Sequence, residues 1–233
     1  TRLNKFLSNA GICSRREADE LIKMGLVQIN GQIITEMGFK VKYNDEVKYD
    51  GSRIQQSPPE YLLLNKPKGF VATARGAKIK KSVQELISSG VKTKIPPIGD
   101  MGRPITGLLF FTSDEILRKK LNNSTSIPMI YQVTLDQNIT NDMMKKLKEG
   151  QMIFDKMQKV NKISNVDGKS KKEVGVEVHS ISPAILQKLF ASIGLKVIQM
   201  DRVVYGGLNK KDLPRGNWRK LSSKEIGFMK MFS

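Results

Sequence analysis

The sequence has little of what a metal site or a disulfide needs. Cys13 is the only cysteine and His179 the only histidine in a chain of 233 residues. A disulfide within the chain is therefore excluded, and a structural zinc site lacks its usual thiolate and imidazole ligands. We expect Cys13 to be a small buried residue, because the one imidazole that could activate it lies far away in the sequence. This usage of cysteine suits a reducing cytoplasm.

Long apolar runs and acidic residues are also scarce. No stretch of about 18 apolar residues occurs, which excludes a membrane-spanning helix, and the first residues carry no secretory apolar segment. Against 22 Asp and Glu there are 40 Lys and Arg, so the formal net charge is +18. Such an excess favours a polyanionic partner, usually nucleic acid, over a basic surface that serves solubility alone. No long basic amphipathic helix indicates a membrane surface.

The residues that are present predict an α+β chain in two parts. Helix and strand signals are mixed without strict βαβ repetition, which is typical of a largely antiparallel or mixed sheet. We expect residues 1–55 to form a small module, residues 56–60 a polar linker with prolines, and residues 61–233 a larger domain. The methionines expected to fill the core of that domain are Met143, Met144, Met152 and Met157.

The N-terminal module is predicted to contain two short helices followed by small strands. Ser14 and Glu17 have the spacing of a capping box, and Asn30–Gly31 is a strong hairpin signal. The segment KVKYNDEVKYDG is expected to form alternating strands around Asn44–Asp45. The segment RLNKFLSNAGICSRREADELIKMGLVQINGQ resembles the ribosomal-protein-S4-type RNA-binding domain. The candidate RNA ligands of the module are Arg2, Lys5, Arg15, Arg16 and Lys23. Arg15 and Arg16 fall in the first turn of the second helix, where the helix N-terminus already favours phosphate.

Five segments of the larger domain resemble the bacterial ribosomal RNA pseudouridine synthases, in the branch that carries this N-terminal module. The segments are YLLLNKPKGF, the stretch from Gly99 into GLLFFTSD, IYQVTLD, LKVIQMDRVVYGGL and DLPRGNWRKLS. The resemblance implies a curved mixed sheet with flanking helices and a central cleft that takes a flipped uridine. It also implies a reaction without cofactor or metal, in which uracil is detached from the ribose, turned, and rejoined through carbon.

That reaction needs a carboxylate at the sugar, because breaking the N-glycosidic bond leaves C1′ electron-deficient. In the family this Asp ends a Gly-Arg-Leu-Asp stretch, five residues before the glycine that corresponds to Gly107. The stretch here runs from Gly99 to Gly102, so the catalytic position is Gly102 and no catalytic residue is assigned. Asp100 is a weak substitute: it lies about 6.6 Å away along an extended strand, and an error of about 1 Å can cost about a hundredfold in rate.

Other positions depart from the family in the same direction. The resemblance places a basic residue at Met129 and arginines of a late helix at Ala184 and Gln187. Of the basic residues of that helix only Lys188 is left. Tyr131 is retained, and by resemblance it is a cleft residue that packs against the target base.

Basic residues that can bind phosphate survive better than the residues that the chemistry needs. Phosphate contacts give affinity without reading sequence. In the larger domain the candidates are Lys66, Lys68, Arg75, Lys78, Lys80, Lys81, Lys188, Lys210, Lys211, Arg215 and Arg219.

We therefore expect an RNA-binding relative of the ribosomal RNA pseudouridine synthases that has lost catalysis. We expect a cytoplasmic monomer whose partner is ribosomal RNA on a subunit or an assembly intermediate, with no role for DNA or membranes. Two alternatives stay open. One is an active synthase that isomerises a specific uridine with Asp100 or a rearranged loop, and the other is a ribosome-associated structural protein whose cleft is filled.

Overall fold

The computed structural model describes residues 1–42, 44–54, 58–73, 81–91 and 95–232. Within it the chain forms two compact units, Thr1–Pro59 and Glu60–Ser233.

The first unit packs two helices and a small sheet around one apolar core. Its elements are α1 (Leu3–Asn9), α2 (Arg15–Lys23), β1 (Val27–Ile29), β2 (Gln32–Ile33), β3 (Val47–Tyr49) and β4 (Ser52–Arg53). The strands pair antiparallel in the order β2-β1-β3-β4. Leu3 and Leu7 of α1 and Ala18 and Ile22 of α2 are buried against Val27, so the apolar side of each helix faces the sheet.

Local polar signals set the ends of these elements. The predicted capping box is present: the Ser14 amide donates to Glu17 Oε2 at 2.7 Å and the Glu17 amide donates to Ser14 Oγ at 3.3 Å. The alternating strands predicted around Asn44–Asp45 are present only in part: β3 follows this point, whereas residues 41 and 42 before it belong to no strand. The β3–β4 hairpin turns at Asp50–Gly51, where both φ angles are positive, 46° and 76°, while the Asp45 carboxylate accepts from the Lys42 amide at 2.7 Å.

Among its described residues, the second unit contains an extended mixed sheet, a separate hairpin and five helices. In chain order the elements are β5 (Tyr61–Lys66), α3 (Val83–Ile87) followed by a 3₁₀ turn (Ser88–Gly90), β6 (Thr106–Thr112), α4 (Glu115–Asn123), β7 (Pro128–Leu135), α5 (Asn141–Glu149), β8 (Gln151–Ile153), β9 (Lys156–Gln158), β10 (Lys162–Asn165), β11 (Glu173–His179), α6 (Pro183–Ala191), β12 (Val197–Tyr205), β13 (Leu208–Asn209), β14 (Trp218–Lys220) and α7 (Ser223–Lys230). Capping boxes at Ser82 and Ser222 begin α3 and α7, and Asp114 and Thr140 cap α4 and α5.

The main sheet has the strand order β10-β11-β7-β12-β6-β5-β14, with β13 beside β12. The described pairings are antiparallel except for β6 with β12, which is parallel. The prediction of an α+β chain with a mixed, largely antiparallel sheet is confirmed. At the parallel contact Gly107 is required: its φ is +105°, and a Cβ there would lie 2.3 Å from the Arg202 carbonyl oxygen.

Side chains on the central strands alternate between the core and an open polar face. On β7, Tyr131 and Val133 are fully buried, whereas Gln132 is exposed and Thr134 half-buried. On β12, Arg202 points into the core and the neighbouring Asp201 does not. The two faces therefore carry two different groups of polar side chains.

Candidate functional site

The loop before β6 carries the position at which the resemblance places a catalytic carboxylate. Met101 and Ile105 anchor this loop, with exposures of 1% and 4%, whereas Asp100 and Gly102 are exposed. A Cβ built on Gly102 would touch only Pro104 Cδ, at an ordinary 3.6 Å. Packing therefore leaves room for a side chain at position 102, and the glycine leaves this position without an acid or a base.

Lys66, at the end of β5, holds this loop through hydrogen bonds. Its side chain is fully buried, and its ammonium donates to the carbonyl oxygens of Pro67, Gly102 and Ile105 at 3.3, 3.0 and 2.5 Å. Burial and, second, the nearby charge of Arg215 lower the pKa of Lys66 to about 8. The prediction that Lys66 binds RNA phosphate is therefore corrected, because its ammonium is buried and donates hydrogen bonds to three backbone carbonyls.

Arg202 is a second buried cation in this region, and it lies among neutral groups. Its Nε donates to the Leu108 carbonyl at 2.7 Å, and Nη1 reaches Tyr131 Oη at 3.4 Å and Met129 Sδ at 3.8 Å. Its guanidinium also stacks 4.6 Å above the Tyr205 ring. Among the residues that the structure describes, Nη2 finds no hydrogen-bond partner, and no carboxylate forms an ion pair with Arg202.

Tyr131 belongs to this closed cluster and does not line an opening. Its exposure is 0%, and its hydroxyl lies 3.5 Å from both Met129 Sδ and the Ile181 carbonyl. Sequence reasoning predicted a cleft residue that packs against a base. The structure corrects this placement, since no face of the ring is accessible unless the surrounding side chains move.

Asp201 is the centre of a charged group on the open face of the sheet. Its Oδ1 accepts hydrogen bonds from Thr106 at 2.7 Å and from Arg215 at 2.8 Å, and its Oδ2 accepts one from the Lys210 ammonium. Burial alone would raise the pKa of this carboxyl, but hydrogen bonds from Arg215, Lys210 and Thr106 prevail and lower it to about 2. An anion held in this way is a weak base.

A cavity of about 410 Å³ opens over this group. Hydroxyl and amide groups of Thr106, Gln132 and Thr134 line it together with Asp201, and cations stand around it: Lys68, Lys169 and Arg215. The hydroxyl and amide groups can form hydrogen bonds with the edge of a base, while the cationic side chains bind phosphate. Sequence analysis missed this cavity, although the alternation of polar and apolar residues in IYQVTL pointed to a polar face.

The remaining predicted cations of this unit differ in their surroundings. Lys68, Lys81, Lys188 and Lys211 are exposed. Arg219 forms two short contacts of 2.8 and 2.6 Å with Glu225, and Lys210 pairs with Asp201, as Arg215 does. Each of these three shares its charge with a carboxylate, and their binding of RNA stays a prediction. Arg75, Lys78 and Lys80 lie outside the described residues. Ala184 and Gln187 both lie on α6, where Ala184 is exposed and Gln187 half-buried.

The predicted cations of the first unit lie on or next to its two helices. Arg15 and Arg16 are exposed in the first turn of α2, and Arg2 is exposed just before α1. Lys5 is half-buried, and Lys23 pairs with Glu20 at 2.9 Å in an exposed contact, which is worth little in water. Arg15 and Arg16 stay the predicted phosphate ligands at the start of α2, beside the Glu17 carboxylate of the capping box.

No cluster of three or more His, Cys, Asp or Glu side chains that could hold a metal ion occurs in the described ranges. Among the same residues, none of the helices has the length and apolar surface that crossing a bilayer requires.

Comparison with known proteins decides which family this arrangement represents. The model of the S4 domain matches residues 1–47, and that of RNA pseudouridylate synthase matches residues 60–190, more than half of the chain. This chain belongs to the RNA pseudouridylate synthase family. A solved structure described as a pseudouridylate synthase has the same fold, with a TM-score of 0.64 and 23% identity over 98% of this chain and 99% of that one.

Two curated relatives illustrate the family. The "Ribosomal large subunit pseudouridine synthase B" of Bacillus subtilis is 30% identical over 97% of this chain and 93% of its own length. The "Dual-specificity RNA pseudouridine synthase RluF" of Escherichia coli K12 is 30% identical over 97% of this chain and 77% of its own length. The family resemblance seen in the sequence motifs is thus confirmed across both units.

Proposed function

We propose that this protein binds ribosomal RNA and does not isomerise uridine. The observation that carries the proposal is the lack of any side chain at Gly102, in the exposed loop where the family resemblance requires a carboxylate. The neighbouring cation fits this reading, since Lys66 is held by backbone carbonyls and, in the described part of the chain, by no acidic side chain. Without a carboxylate at the sugar, neither nucleophilic attack nor proton removal is available at this position.

The closed cluster under the sheet supports the same proposal. Met129, Tyr131 and Arg202 are all at least nine-tenths buried and contact one another. A flipped base would have to displace these side chains before reaching the tyrosine ring. The cost of opening a packed core makes productive binding of uridine there unfavourable.

Binding groups are better preserved than chemical ones. The cavity on the open face combines hydrogen-bonding side chains with Lys68, Lys169 and Arg215, and α2 of the S4 domain presents Arg15 and Arg16. A net charge of +18 adds long-range attraction to a polyanion. Because one relative is named for the ribosomal large subunit, we take a ribosomal subunit or its assembly intermediate as the partner, a monomer as the binding form, and the cytoplasm as its location.

A second candidate function is an active pseudouridine synthase. Membership of the family favours it, and Asp100 is exposed in the same loop, two positions before Gly102. This alternative requires the loop to move Asp100 to the sugar.

Release of tritium separates the two candidates. Ribosomal RNA transcripts labelled at uridine C5 are incubated with the pure protein and, in parallel, with the B. subtilis relative as a positive control. We expect release from the control and none from this chain. Release that is abolished by Asp100→Ala would establish the active synthase in place of our proposal.

Sedimentation tests the binding half of the proposal. Protein purified from cells is centrifuged through a sucrose gradient at moderate salt, with and without ribonuclease. We expect it to migrate with a ribosomal subunit or a precursor particle. A protein that stays at the top of the gradient and carries no RNA would contradict the proposal.

A further inference from the structure

A small hairpin stands apart from the main sheet and has an unusual turn. In the part of the chain that the structure describes, β8 and β9 pair only with each other, with Ile153 opposite Lys156, so the turn consists of Phe154 and Asp155. Both residues have positive φ, 49° and 58°. This is the conformation in which two-residue hairpin turns normally use Asn-Gly or Gly-Gly.

Phenylalanine is a costly choice for that position. The left-handed conformation brings Cβ close to the following carbonyl oxygen, and bulky side chains adopt it rarely. Nor does burial compensate for the cost, because the Phe154 side chain is 69% exposed. Backbone strain at an exposed aromatic residue suggests a task for the ring outside folding.

The ring is part of an exposed apolar patch. Met152 and Met157 face each other across the two strands and are 60% and 62% exposed. Phe154 follows in the turn and is exposed as well, whereas Ile153 between it and Met152 is buried. The expectation that these methionines fill the core is therefore wrong, although Met143 and Met144 do pack against it. We call Met152, Phe154 and Met157 the hairpin patch.

One ammonium group lies against the hairpin patch: that of Lys188 on α6 is 4.3 Å from the centre of the Phe154 ring. The local sequence is basic as well. Residues 145–159 contain five lysines against two acidic residues, Glu149, which pairs with Lys145, and Asp155 of the turn. An aromatic ring beside an ammonium group in a basic segment is the combination that single-stranded nucleic acid binding uses, with bases on the ring and phosphates on the lysines.

We propose that the hairpin patch binds an unpaired nucleotide of RNA, with its base stacked on Phe154 and its phosphate near Lys188. The proposal rests on the proposed RNA-binding function and adds a contact outside the polar cavity. A protein partner fits less well, because a patch of three side chains is far smaller than the roughly 800 Å² per partner of a stable protein interface. The surrounding lysines also favour an anionic ligand.

Fluorescence anisotropy with two labelled probes tests the stacking contact. One probe is an oligo(U) of about eight nucleotides, within the usual site size, and the other has the same backbone but lacks the bases. We expect Phe154→Ala to weaken oligo(U) binding at least about fivefold, and to leave binding of the abasic probe unchanged. The matched control is Ile116→Ala, which removes an apolar side chain that is 73% exposed on α4 and should change neither affinity.

Two further variants separate stacking from folding. Phe154→Trp keeps an aromatic ring and should retain affinity for oligo(U). Phe154→Gly relieves the left-handed strain, so it should melt at the same or a higher temperature than the wild type while binding as weakly as Phe154→Ala. Loss of affinity together with a lower melting temperature in all three variants would mean that the ring serves the fold, and would overturn the proposal.

The outcomes also distinguish this inference from the function on which it rests. Wild-type protein that binds neither ribosomal RNA nor oligo(U) defeats the proposed function itself. Wild-type binding that Phe154→Ala leaves intact defeats only the stacking contact. If Phe154→Ala weakens binding of both probes equally, the patch contributes through electrostatics and not through stacking. If Phe154→Ala loses a co-purifying protein without a change in RNA affinity, the patch binds a protein partner. Either result replaces our proposal.

Discussion

Gly102 combines an open environment with the loss of a chemical group. Nothing within the described surroundings is in the way of a side chain there, so the absence of a carboxylate is a matter of residue identity and not of packing. The neighbouring side chains that could assist an acid at this position are held in other contacts. Lys66 is committed to backbone carbonyls, and Tyr131 and Arg202 are buried in a cluster of their own.

Restoring the acid should therefore give a folded but inactive protein. We expect Gly102→Asp to keep the wild-type melting temperature within a few degrees, because the new Cβ meets only ordinary contacts. Pseudouridine formation on ribosomal RNA transcripts, read by mass spectrometry of nucleosides, should stay far below that of the B. subtilis relative. Activity equal to that of the relative would show that the rest of the site is intact.

Asp201 should stabilise the protein near neutral pH through its charge. Its folded-state pKa is about 2, below the ordinary value of 3.8, so the stabilisation is present above pH 4 and disappears as the pH falls towards 2. We expect Asp201→Asn to lose about 2 kcal/mol of unfolding free energy at pH 7, measured by urea denaturation. The difference between the two proteins should shrink between pH 4 and pH 2.

The exposed Asp167 supplies the matched control for this measurement. Asp167→Asn removes the same charge from the surface and should change stability by less than about 0.5 kcal/mol. A difference between wild type and Asp201→Asn that does not vary with pH would indicate lost packing and not lost charge.

At the scale of elements, the parallel contact between β6 and β12 depends on one glycine. Gly107→Ala would place a methyl group 2.3 Å from the Arg202 carbonyl oxygen in a left-handed backbone. We expect a loss of about 3 kcal/mol or more, seen as a lower urea midpoint or as insoluble protein. Gly175→Ala on β11 is the control, because no atom lies within 4 Å of a Cβ there, and similar losses in both variants would refute the close-approach argument.

The start of a helix could be predicted from the sequence where the signal lies within a few neighbouring residues. The capping box predicted at Ser14 is present, and boxes with the same spacing begin helices at Ser82 and Ser222, because hydroxyl and carboxylate three residues apart are enough to begin a helix. The β8–β9 hairpin was missed, since Phe154–Asp155 lacks the glycine or asparagine that marks such a turn.

The candidate site was harder to predict because burial is decided by tertiary contacts. Lys66 and Tyr131 were predicted to face RNA, yet both are fully buried. A lysine beside a proline-glycine turn is usually exposed, and only the three carbonyls gathered by the fold make its burial tolerable. Likewise, the sequence did not predict that Asp201 is the centre of a charged group, because only the pairing of β12 with β6 brings it beside Thr106.

For the whole molecule, the positive charge and the S4 domain should govern RNA affinity. Replacing both Arg15 and Arg16 by Ala removes two exposed cations from the start of α2. We expect the slope of log affinity against log salt to fall by about 1.5 for ribosomal RNA transcripts, since each phosphate contact contributes about 0.7 to 0.9. Filter binding at several salt concentrations measures this slope.

A control with the same loss of charge shows whether position matters. Lys119→Ala with Lys120→Ala removes two exposed cations from α4, away from any helix N-terminus. This variant should lower the slope by much less than the arginine pair. Equal effects would mean that only net charge counts and that α2 has no special role.

The open space above Gly102 also bears on the history of this chain. Two of the four glycine codons become an aspartate codon by a single base change, and a Cβ at this position meets only Pro104 at an ordinary distance. The interlocked Met129, Tyr131 and Arg202 are different, because freeing the tyrosine ring requires several of their contacts to break together. Under the proposed function, the packed cluster is therefore harder to undo than the missing acid.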